Sequence, residues 1–194
     1  MLQKEILKQF LMMKAGINNA YTVLFLIGIL LFYIDTAIGL LIPMHIGKFE
    51  LVFVPHLTFM YILMMVVYRG FGVSLLLSIF LGVMTDVYFG SIYGVYLFGY
   101  ILFLALIDRF FKIFYKDHSM LFIIILASTL LLEVYVALIY GMLGFIQFDI
   151  IHFVVFRLLP TLIMNFVLLI MLYPLIIKFL KKTNNDIDMK RRQW

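Results

Sequence analysis

Long apolar runs, separated by short polar or glycine-bearing breaks, set the pattern of this chain. A helix needs about 20 apolar residues to cross the hydrocarbon core of a bilayer. Six runs fit, at residues 20–42, 51–68, 71–88, 92–109, 119–141 and 150–178. The pattern predicts an all-α integral membrane protein with six transmembrane helices. The second and third runs are parted only by YRGFG at 68–72, and the third and fourth only by FGS at 89–91. Both breaks predict tight antiparallel hairpins. Nothing between residues 20 and 180 reads as a linker, so one transmembrane domain is expected over 20–180. Ahead of it, residues 1–19 set Leu2, Ile6, Leu7, Phe10, Leu11 and Met13 among Lys4, Lys8 and Lys14. That suits an amphipathic segment on the inner leaflet or a plain cytosolic extension of the first span. The segment lacks a short apolar core with a small-residue cleavage site, so the first span is expected to be retained as an anchor.

Composition supports lipid as the solvent. Of 194 residues, 66% are hydrophobic and 13% charged, with a mean hydropathy of +1.16. Soluble domains run at roughly 45–50% apolar and about 25% charged. The formal net charge of +5 is a topology signal. With both termini cytoplasmic, every basic residue except Lys48 and Arg157 falls on the inner side, 13 of the 15 (15 − 2). Cytoplasmic loops carry such an excess. Fusing the third and fourth spans would move the C-terminal basic cluster outside and spoil the split. The loop DRFFKIFYKDHS at 108–119 mixes aromatics and cations and is expected to lie on the anionic inner surface. The basic cytoplasmic tail, 181–194, is polar and expected to be unstructured. The basic residues form no aromatic-interleaved surface, which argues against nucleic acid.

Polar residues inside the spans carry the most information, because a charge at the bilayer centre costs about 2.5–3.5 kcal/mol on insertion scales. Asp35, Asp86, Glu133 and Arg157 lie in spans one, three, five and six, and Asp86 is the sole formal charge between Gly70 and Ile107. Given the alternating directions of the spans, all four fall in the outer half of the membrane, with His56 and His152 at neighbouring depth. The expectation is a polar pocket opening outward, in which several carboxylates share Arg157. The plainer alternative is a buried ion pair that fixes helix register. Ser74, Ser78 and Gly82 form a small-residue ridge on span three, and Gly90 and Gly94 continue it into span four. Such ridges allow close backbone approach, which would set Asp86 against protein. In RLLPTLIMN, 157–165, Pro160 removes a backbone donor and frees a carbonyl near Phe156. A side chain or water must then satisfy that carbonyl, and Asn165 is placed to bond a neighbouring helix. A bland kink is the other reading of this proline.

Chemistry of other kinds is missing. There is no phosphate-binding glycine motif and no Gly-x-Ser-x-Gly elbow. Cysteine is absent, which excludes thiolate sites. His45, His56, His118 and His152 have no metal-ligand spacing and read as loop or interfacial histidines. Asp35 and Asp86 lack the second glycine-framed motif of an intramembrane aspartyl protease. No enzyme activity, metal or cofactor is expected.

Three stretches together resemble the bacterial rod shape-determining membrane protein family MreD: LFYIDTAI in the first span, GVMTDVYFGSIYGVY with Gly82, Asp86, Gly90 and Gly94, and RLLPTLIMNFVLLIMLYPLI with Arg157, Pro160 and Asn165. The likeness covers about residues 20–180; the first 19 residues and the long basic tail are not features of the family pattern. The resemblance implies a non-enzymatic membrane scaffold of the cell-wall elongation machinery in the bacterial cytoplasmic membrane. It implies an MreC-like single-span partner, a wall-synthesis glycosyltransferase and transpeptidase, and the actin-like MreB; membrane lipids are its solvent. The family fold is similar to the six-helix substrate-binding component of energy-coupling-factor vitamin transporters. That leaves a second function open, a small-molecule-binding subunit of a transporter. The Ala-x-x-x-Ala coupling motif of those components is absent from the first span.

Overall fold

The computed structural model describes residues 2–42, 45–46, 49–114, 118–145 and 149–192. Helix α1 spans Leu2–Leu41 and leads into a two-residue antiparallel hairpin, β1 (His45–Ile46) with β2 (Phe49–Glu50). Helices α2 (Leu57–Arg69), α3 (Phe71–Phe89), α4 (Val95–Phe114) and α5 (His118–Met142) follow. The chain ends in α6 (Ile150–Phe153), a π turn (Val154–Leu158) and α7 (Leu159–Arg192). Among the described residues, four helical stretches are long and apolar enough to cross a membrane: Tyr21–Leu41, Phe71–Phe89, Met120–Met142 and Ile150–Leu180.

The second expected span is only partly helical. Residues 51–56 are extended and the helix begins at Leu57. Pro55 lacks an N–H, and a proline biases the preceding residue, here Val54, toward extended backbone. At about 1.5 Å per residue the 13 residues of α2 reach only about 20 Å. Six extended residues at about 3.3 Å each add roughly the same again. Helix and extended segment together have the length of a crossing.

α2 is the hub of the bundle. Every residue from Leu57 to Val66 is buried, and it packs on α1, α3, α4, α5 and α7. The Tyr61 hydroxyl donates to the Leu24 carbonyl at 2.8 Å, pinning α1 to it. α3 and α4 form a close antiparallel pair. A Cβ on Gly82 would sit 2.9 Å from the Leu97 Cα, so only glycine permits this approach. Ser74 and Ser78 lie on the same ridge and are fully buried. Between the helices, Gly94 turns the chain with φ +99°, a region that L side chains rarely adopt.

α1 runs unbroken through residue 20, in keeping with an extension of the first span. The C-terminal end differs from expectation. α7 continues to Arg192 through the tail expected to be unstructured. Once a helix is nucleated, each further residue adds a bond at little extra cost. The side chains of 1–20, 111–119 and 181–194, which carry the proposed inner-leaflet faces, lie outside the described residues, as does the position of Lys48.

Candidate polar site at the start of α2

Pro160 sits in the first turn of α7, where a helix needs no N–H from it. The backbone before it widens into the π turn, and the Phe156 carbonyl turns outward to accept from the Val52 N–H at 2.9 Å. The π turn therefore replaces the simple kink. Arg157, Thr161 and Asn165 recur every four residues, so they share one face. The extended residues 51–56 lie along that face. Thr161 Oγ1 accepts from the Val54 N–H and donates to the Val52 carbonyl, both at 3.2 Å. Asn165 Nδ2 donates to the Val54 carbonyl at 2.7 Å, and Asn165 Oδ1 accepts from the His56 N–H at 2.8 Å. Backbone without a helix is tolerated at membrane depth only where protein satisfies it. Here α7 does so.

Asp35 completes the start of α2. Its Oδ1 accepts from the Leu57 N–H at 2.9 Å; its Oδ2 accepts from the Thr58 N–H at 2.8 Å and the Thr58 hydroxyl at 2.6 Å. These are orphan donors of a helix N-terminus, filled by a side chain from another helix. Asp86 does the same for α4. Its oxygens accept from the Tyr96 and Leu97 N–H groups at 2.8 and 3.0 Å. The carboxylate conserves the helix start that Gly82 brings near and Gly94 turns toward it. Asp86→Ala is expected to lower stability by about 1–3 kcal/mol, chiefly by leaving the buried Tyr96 N–H unpaired while the Leu97 N–H is only partly buried, read as a fall in melting temperature in detergent. An unchanged melting temperature would show that Tyr96 and Leu97 find other acceptors.

Glu133 is the third acid, fully buried. Its Oε2 accepts from Arg157 Nε at 2.9 Å, and its Oε1 lies 2.6 Å from His56 Nε2. The expectation that several carboxylates share Arg157 is therefore corrected: Glu133 holds it, while Asp35 and Asp86 bind helix starts. Asp35 thus serves α2, Asp86 serves α4 and Glu133 holds Arg157 of the π turn. His56, expected as a loop or interfacial residue, is instead 3% exposed and central to the site. Sequence reasoning missed Thr58, Thr161, Tyr96 and Tyr100 as well. The four-residue spacing of Arg157, Thr161 and Asn165 was the signal that could have found Thr161. His152, its neighbour in expected depth, is exposed and stacks near Phe156.

Beside this cluster lies a cavity of about 630 Å³, bounded by α1, residues 53–56, α3, α4 and Arg157. Asp35, His56, Thr58, Thr85, Tyr96 and Tyr100 supply its polar wall. Asp86, Glu133 and Asn165 stand behind it. No group of three or more potential metal ligands occurs among the described residues.

The family model for the rod shape-determining protein MreD matches residues 20–183. The chain belongs to the MreD family. It is therefore a multi-pass protein of the bacterial inner membrane with a role in rod shape determination. No curated protein and no solved structure matches it. The match covers the bundle and all of the MreD-like positions described above, Asp35, Gly82, Asp86, Gly90, Gly94, Arg157, Pro160 and Asn165.

Proposed function

We propose that this MreD-family protein is a non-catalytic, six-span scaffold of the cell-wall elongation machinery that docks an MreC-like single-span partner. One observation carries the reading: the acids inside the bundle hold the fold. Asp35 and Asp86 cap helices, and Glu133 is engaged by His56 and Arg157. A catalytic carboxylate needs a free oxygen within reach of a substrate proton, whereas a rigid polar framework suits a surface that positions other proteins. Through the partner, the glycosyltransferase, the transpeptidase and MreB would be gathered at one place in the membrane. The test is affinity purification of the full chain from cells in mild detergent. Co-elution of an MreC-like protein is the expected result, and a stable, partner-free protein from cells that express both would refute the reading.

The same proposal sets both termini in the cytoplasm. The chain has no cysteine, so single cysteines report topology cleanly. Cysteines at residues 47 and 146 should react with an impermeant maleimide in intact spheroplasts, and one at residue 116 only after lysis. Labelling of residue 116 from outside would reverse the orientation.

A further inference from the structure

The cavity beside α2 lies within the range of small-ligand sites, about 300–1,000 Å³. Three features bear on what it holds. Arg157 carries five N–H donors. Glu133 takes the one at Nε, and the two terminal nitrogens bond no described residue. The Arg157 side chain is 31% exposed and lines the cavity. Guanidinium N–H groups that no described residue accepts are donors available to acceptor oxygens in the cavity. Phe32, Phe53, Phe89, Tyr88, Tyr96 and Tyr100 give the cavity an aromatic wall. Leu40, 82% exposed, and Tyr88, 58% exposed, line the cavity near the ends of α1 and α3.

Each carboxylate of the cluster is already engaged. Glu133 pairs with Arg157; Asp35, which lines the cavity, and Asp86 accept from the starts of α2 and α4, whose dipoles offset their charge. Arg157 therefore offers hydrogen-bond donors to the cavity rather than a free positive charge. Arginine suits phosphate because its planar fork can donate two parallel hydrogen bonds. We propose that this cavity binds a phosphate-bearing membrane lipid. The phosphate oxygens meet the terminal nitrogens of Arg157, the upper part of one acyl chain lies on the aromatic wall, and the remainder leaves past Leu40 and Tyr88.

The test is thermal unfolding of the full-length protein in a neutral detergent, titrated with dioctanoyl phosphatidylglycerol. A saturable rise in melting temperature is expected. Dioctanoylglycerol, with the same chains and no phosphate, and inorganic phosphate should each give none. Gly39 lines the cavity, and a Cβ there meets nothing within 4 Å. Gly39→Trp should therefore occupy the mouth and weaken the lipid response at least tenfold. The neutral pair Glu133→Gln with Arg157→Gln should weaken it similarly, and it keeps the test available should the tryptophan variant not fold. No saturable response, an equal rise with dioctanoylglycerol, a rise with inorganic phosphate alone, or unchanged affinity in the variants would each overturn the proposal.

Discussion

Replacing Asn165 by leucine is expected to cost about 2–6 kcal/mol of stability. The side chain is fully buried. It satisfies two backbone groups of the extended segment, the Val54 carbonyl and the His56 N–H, and also donates to the Thr161 carbonyl at 2.8 Å. Each buried group left unpaired costs about 1–3 kcal/mol. Thr161 has its own helical acceptor role, so its carbonyl adds little. The measurement is the melting temperature of the purified protein, with protease sensitivity of the 51–56 segment as a local readout. A double-mutant cycle with Thr161→Val should show strong coupling, because both side chains hold one strand. Simple additivity would mean that residues 51–56 are held elsewhere.

Arg157→Leu is expected to cost about 3–5 kcal/mol, the usual penalty for removing one partner of a buried ion pair. Glu133 would keep only His56 as a partner while remaining fully buried. The decisive comparison is the double variant, Glu133→Gln with Arg157→Gln. Removing both charges also removes the stranded carboxylate, so the double variant should be more stable than Arg157→Leu alone. If Arg157→Leu melts like the parent protein, the guanidinium does not stabilise Glu133, and the shared polar cluster does not exist as described.

Much of the fold was legible because lipid imposes a simple rule on apolar length. The runs at 71–88, 119–141 and 150–178 correspond closely to α3, α5 and the α6–α7 unit. The small-residue ridge from Ser74 to Gly82 reads directly as the α3–α4 contact, since a missing side chain is visible in the sequence. Residues 51–56 were not legible. Their apolarity reads as helix, and only Pro55 hints otherwise, because the groups that hold the strand lie more than 100 residues away on α7. Within the site, charge was easy to find and pairing was not. Asp35 and Asp86 look like partners for a cation, yet backbone N–H groups claim them, and a sequence shows no backbone donors. His56 gave no spacing signal, since its partner Glu133 is 77 positions distant.

The extended strand also dictates the order in which this protein can be completed. Val52, Val54 and His56 leave the ribosome long before Phe156, Thr161 and Asn165 exist to receive them. Until the final span enters the bilayer, that stretch must stay in water, at the interface, or in the care of the insertion machinery. Biogenesis is thus not a helix-by-helix addition: the second crossing closes only when the last one arrives, and a nascent chain cut short after α5 would carry an unfinished core.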